Sequence, residues 1–199
     1  MYLQSLLVIF CLLIFSHSQG TAEVTTLPED DPKNFKEQNA KKLVELGGTH
    51  WVKKRTYEVT TPMGNPTCEY AKIYGETTTG DGYTLELGAK LGSKWTSKNQ
   101  TLLFKTTGQH PAPNVLLFSR LQADGPLGHP LLYSDYKVCH IVRILKKDSP
   151  DYRCDLLLTN EAAKESPPAA CEAKFQEYCK GPWYESYKSN CDETGPKTS

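Results

Sequence analysis

The 199-residue chain carries 23 basic and 23 acidic side chains and is 38% hydrophobic. Zero formal charge without a basic run excludes a nucleic-acid partner, because phosphate binding needs concentrated Lys and Arg. The length suits one domain with a real core and hardly two.

The chain opens with "MYLQSLLVIFCLLIFSHSQG", in which Leu6 to Phe15 is unbroken apolar sequence. A membrane span needs about 20 such residues, so this run reads as the core of a signal peptide rather than a transmembrane helix. The expected organisation is a signal peptide over 1–20, cut after Ser18 to Gly20, then one soluble, secreted, monomeric domain over 21–199 with no membrane span and no cofactor. Cys11 leaves with the signal. Cys68, Cys139, Cys154, Cys171, Cys179 and Cys191 remain, and an even number in a secreted chain predicts three disulfides. "NQT" makes Asn99 a glycosylation site in an accessible turn, whereas proline disqualifies the "NPT" at Asn65.

After an acidic lead, Asp31 is placed to cap a short helix with Pro32 in its first turn, and Gly47–Gly48 ends it. Its apolar stripe is Phe35, Leu43 and Leu46. From Trp51 the pattern turns to period two. Trp51, Tyr57 and Val59 share one parity of "WVKKRTYEV", and "CEYAKIYG" follows a "TPMGNP" turn. In "GYTLELGAK", Tyr83, Leu85, Leu87 and Ala89 share a face opposite Thr84, Glu86 and Lys90. "TLLFKT", "NVLLFSRL", "HPLLYSD", "VCHIVRIL" and "YRCDLLL" continue the series. Eight short strands at hairpin spacing fit a sandwich or a closed antiparallel barrel. A last helix spans "PPAACEAKFQEYCKG", with Cys171, Phe175 and Cys179 on one face.

The chemistry-bearing neighbours are Cys139–His140 and Cys154–Asp155. Adjacent side chains in a strand point to opposite faces, so neither pair holds one metal ion, and no CxxC or HxxxH is present. Paired cysteines have no thiolate for catalysis. With no GxSxG, and only a chance Ser134–Asp135 near a histidine, an enzyme is the least favoured class. The stretch reads as a hairpin turning at "KKDSPDY", with its cysteines as staples.

"RTYE", then "SDYKVC", "RCDLLL" and "FQEYC" with a final cysteine, in this order and spacing, resemble the tick salivary lipocalins of the histamine-binding family over nearly the whole mature chain. The lipocalin Gly-x-Trp is not met, since Gly48 stands three before Trp51. The resemblance implies an all-β fold with flanking helices: an eight-stranded antiparallel barrel that scavenges small mediators of host inflammation. It also implies the pairs Cys68–Cys191, Cys139–Cys171 and Cys154–Cys179.

By the same likeness Tyr57 and Phe118 keep aromatic pocket positions and Asp155 an acidic one. His129 and His140 stand where histamine-binding members tend to have acids, Arg120 replaces an aromatic, and Thr107 falls near another expected carboxylate. The leading expectation, on family grounds, is a biogenic amine, held by carboxylates and aromatic walls. The residues lean toward a fatty-acid-like anion, with Arg120, and Arg55 or Lys53 from the Trp51 face, as its partners. A third expectation is a host protein bound by the outer loops "TTPMGNPT" and "GQHPAPN".

Overall fold

In this computed structural model, which describes residues 26–120 and 122–191, the strands follow one another in chain order. They are β1 (Gly48–Arg55), β2 (Thr67–Glu76), β3 (Tyr83–Leu91), β4 (Lys94–Lys105), β5 (Val115–Phe118), β6 (Leu127–Ser134), β7 (Cys139–Lys146) and β8 (Ser149–Thr159). From β2 to β8 each pairs antiparallel with the next, and β1 pairs with both β2 and β8. That double pairing closes an eight-stranded barrel and leaves little open edge. A ninth strand of two residues, β9 (Tyr184–Glu185), pairs with β1 at Lys54 and Arg55. The expected signal peptide lies outside the described residues.

The period-two reading places most side chains correctly. Leu85, Leu87 and Ala89 of β3 line the interior, and the outward Tyr70 of β2 lies across its partner Gly88. A Cβ at Gly88 would stand 2.3 Å from that ring, so glycine alone fits there. β1 departs from the pattern. Its pairing with β8 slips between Val52 and Lys54, a bulge that adds one residue to the strand. Trp51 therefore joins the outer apolar cluster while Tyr57 joins the inner one, although they share parity. The same bulge separates Lys53 from Arg55. Lys53 turns outward and donates to the Ala163 carbonyl at 2.8 Å, away from any ligand.

The expected N-terminal helix is broken into 3-10 turns at Pro28–Asp30 and Pro32–Glu37 and a short α1 (Ala40–Val44). Two caps explain the break. Asp31 accepts from Lys33 N at 3.1 Å, and Asn39, in extended conformation, accepts from Lys42 N at 3.0 Å and starts a second helix. Ala40, Leu43 and Val44 are the buried residues of α1, and Leu46 is exposed. Gly47 and Gly48, with φ of 60° and 75°, provide the predicted stop. Asn99 also departs from expectation. It lies inside β4 opposite Glu86 rather than in a turn, though it is exposed.

α2 (Ala169–Tyr178) buries Cys171, Phe175 and Tyr178 against the outside of the barrel. Disulfides Cys139–Cys171 and Cys154–Cys179 fasten it at both ends, and Cys68–Cys191 ties the C-terminal segment to β2. These are the pairs the resemblance implies. In the chain-entropy account the last of them, spanning 123 residues, contributes roughly 5 kcal/mol. Two apolar layers result: one between wall and α2, including Leu156, Leu158 and Phe175, and one inside the barrel, including Ile73, Leu85, Leu116 and Val142.

Candidate functional site

The barrel encloses a cavity of about 520 Å³, within the range of roughly 300–1,000 Å³ typical of small-ligand sites. Leu43 and Val44 of α1 line it at the end where β1 begins, and the walls are aliphatic: Val52, Ile73, Leu85, Leu87, Leu116, Val142 and Leu157 among them. Toward the opposite end Tyr57, Glu69, Arg120, Arg153 and Asp155 form a charged cluster, and His50, His140, Glu58 and Asp124 are further polar groups of the lining.

Asp155 is brought inward by the alternation that sends Cys154 outward to α2. Its carboxylate lies 2.8 Å from Arg120 Nη1 and accepts from Tyr57 Oη at 2.8 Å. Arg120 also donates to Glu69 at 3.1 Å, and Glu69 in turn binds Arg55 and accepts from Ser186 Oγ at 3.2 Å. Two guanidiniums and two carboxylates thus balance, which is the condition for keeping charges inside a fold. Burial pushes the Asp155 carboxyl up from its usual range, while Arg120, the Tyr57 hydroxyl and Arg55 pull it back. Burial likewise drives the Tyr57 hydroxyl well up, and Arg120, Arg153 and Arg55 lie 5.4, 5.5 and 5.8 Å from its ring centre. Side-chain exposure falls from 23% at Arg153 and 17% at Arg120 to 13% at Glu69 and 2% at Asp155. Within the ion pair Arg120 is thus the more exposed partner of Asp155, whereas Arg55, at 6%, is less exposed than Glu69.

Of the residues named from the sequence, Tyr57, Phe118, Arg120, His140 and Asp155 line one cavity. His129 does not. It is buried behind Phe118, its ring 4.2 Å from the phenyl, and accepts from Leu145 N at 3.0 Å. Burial and the nearby Arg120 push its pKa down to about 4. Thr107 is likewise outside the site, bonded to Asn114. Ser134 Oγ is 2.9 Å from His140 Nδ1, but Asp135 turns away to accept from the backbone of Lys137, Val138 and Cys139. No Ser-His-Asp relay forms. Among the described residues no cluster suited to a metal ion occurs, and no helix is long and apolar enough to cross a membrane. The "GQHPAPN" loop is anchored at His110, which bonds the Glu29 carbonyl at 2.7 Å and packs on Phe35, while Gln109 and Pro111 are exposed. In "TTPMGNPT", Met63 is well exposed.

Glu69 and His50 also line the cavity and were missed in the sequence. Glu69 was readable there, as an acid on the parity of Ala71 and Ile73.

A family profile described as tick histamine binding protein matches residues 28–193. The chain is a member of the tick histamine-binding protein family. By fold this member is similar to AM182, solved as a serotonin complex, at 20% identity and a TM-score of 0.55 over 76% of this chain and 91% of that one. It is also similar to insecticyanin from the tobacco hornworm Manduca sexta, at 11% identity and 0.57 over 75% and 82%. Apocrustacyanin C2 gives 13% and 0.55 over 86% and 93%. Comparison with curated proteins found no significant match. A histamine-binding family member with a lipocalin barrel is a small-molecule binder and not an enzyme.

Proposed function

We propose that this protein is secreted and sequesters a fatty-acid-derived anionic mediator, with its chain along the aliphatic wall and its carboxylate at Arg120. The observation that carries the reading is that Arg120 and Tyr57 already engage Asp155, with Arg120 the more exposed of the ion pair. A carboxylate so engaged offers an ammonium little unless Arg120 leaves. A guanidinium has five N–H donors, and Arg120 can serve Asp155 and Glu69 and still present others to an incoming carboxylate. The walls point the same way, because a long apolar chain covers aliphatic surface that a compact amine leaves uncovered.

The second reading is a biogenic amine bound at Asp155, favoured by the family and by the serotonin complex of AM182. Calorimetry of a leukotriene and of histamine against wild type, Arg120→Ala and Asp155→Asn separates the two. The leukotriene should bind wild type and lose about ten- to hundredfold in Arg120→Ala, the value of one charge-assisted hydrogen bond of roughly 1.5–3 kcal/mol. Asp155→Asn should leave it unchanged or tighter. Histamine binding that weakens in Asp155→Asn and survives Arg120→Ala would overturn the anion reading in favour of the amine.

A further inference from the structure

The C-terminal segment is built into the barrel wall beside the charged cluster. β1 and β2 pair only as far as Trp51 opposite Tyr70, and toward the Arg120 end of the cavity they part. Into that gap comes β9 with the residues after it. Tyr184 and Glu185 pair with Arg55 and Lys54, and Ser186 N donates to the Lys53 carbonyl at 3.2 Å. The Ser186 carbonyl in turn accepts from Cys68 N at 2.9 Å. Ser186 thus links the backbones of two strands whose own ladder has stopped. Tyr187 packs edge-on to Trp51, ring centres 5.6 Å apart, and Cys191 is bonded to Cys68.

This attachment reaches a residue of the cavity. The β2–β3 register slips between Thr67 and Tyr70, and within that bulge Cys68 has a φ of 52°. Positive φ is uncommon for a residue with a Cβ and persists only where its surroundings hold it. Here the disulfide and the bond to Ser186 do so. The residue that follows the kink is Glu69, a lining group of the cavity. Its carboxylate accepts from Arg55 and from Ser186 Oγ at one oxygen, the latter at 3.2 Å, and from Arg120 at the other at 3.1 Å. Ser186 is 1% exposed and belongs to none of the eight barrel strands.

Each donor on a buried carboxylate takes up part of its demand, and a donor lost there is poorly replaced. Without the Ser186 hydroxyl, Glu69 leans harder on its two guanidiniums. One of them is Arg120, the cation that a ligand carboxylate needs. We propose that the C-terminal segment is a working part of the anion site, with Ser186 as a positioning residue that satisfies Glu69 and so keeps Arg120 available to the ligand. This rests on the anionic-lipid reading above and deepens it.

The test is a double-mutant cycle read by calorimetry with arachidonic acid as the probe. Ser186→Ala should weaken binding about three- to tenfold, a fraction of the value of one hydrogen bond to a charged group. In a Glu69→Gln background the same substitution should change nothing, because Ser186 acts through the Glu69 charge. Unchanged affinity in Ser186→Ala, or an equal loss in both backgrounds, overturns the positioning role and leaves the anion reading standing. Failure of the wild type to bind the acid overturns both. A second measurement needs no variant. By reciprocity, ligand at Arg120 must favour the docked segment by the same factor. Hydrogen exchange at the Cys68 and Ser186 amides of the wild type should therefore slow about three- to tenfold on binding, beyond any slowing at the Trp51–Tyr70 pairing. Bound acid without that local protection overturns the proposal, even if Ser186→Ala does not fold.

Discussion

Replacing Glu69 by Gln separates the structural from the ligand-binding role of the charged cluster. Glu69 is the carboxylate shared by Arg55 and Arg120, with the Ser186 hydroxyl on the same group. Gln keeps the shape and an acceptor for Ser186 but removes the charge, leaving Asp155 to balance two guanidiniums. Breaking a buried pair costs about 3–5 kcal/mol, and the lower figure applies because Arg120 retains Asp155. For a domain of this size, where 1 kcal/mol shifts Tm by about 2–4 °C, a loss of about 3 kcal/mol lowers Tm by roughly 6–12 °C. The freed guanidinium should at the same time hold an anionic lipid about tenfold tighter. Thermal unfolding with and without leukotriene reads both effects, because a tighter ligand raises Tm more at equal concentration. A variant as stable as wild type, or one in which the lipid protects less, would refute the balance of charges described here.

Stability should also fall on acidification. Unfolded histidine titrates near 6.5, whereas burial holds His129 at about 4 and His140 well below its ordinary value. Between those limits the unfolded chain binds protons that the folded chain refuses, so stability present above pH 6.5 is lost as pH drops. His129 alone accounts for roughly 3 kcal/mol by pH 4. Asp155, pushed up by burial, opposes this only below its own raised value. A Tm that stays level from pH 7 to pH 4.5 would contradict the buried neutral imidazoles. Asn99 is exposed on β4, so protein from eukaryotic cells should carry a glycan there. Peptide mapping that recovers mostly unmodified Asn99 would show the strand pairing hides the sequon.

Much of the barrel was legible because alternation survives single-sequence reading. Cys139 against His140 and Cys154 against Asp155 sort to opposite faces in the structure as period two demands. What the pattern could not carry is a bulge. The slip at Val52–Lys54 is a choice of backbone, not of residue type, and it reversed the face of everything before it in β1. For that reason Lys53 looked like a ligand partner, and His50 went unnoticed beside the outward Trp51. His129 failed differently. It has inward parity, but Phe118 covers it, and which of two stacked aromatic rings meets the cavity is a matter of packing. The ion pairs around Arg120 were equally out of reach, because its partners come from β2 and β8, far away in the chain.

On the β7–β8 hairpin the residues that hold α2 and the residues that face the ligand occupy alternate positions of the same two strands. Each change of pocket chemistry at His140, Val142 or Asp155 happens one residue from a position clamped covalently or by apolar packing on the other side. The scaffold's integrity is lodged in its back and its chemical taste in its front. Such a wall tolerates drift in what it binds without drifting in how it folds, which makes one barrel a platform for successive ligands.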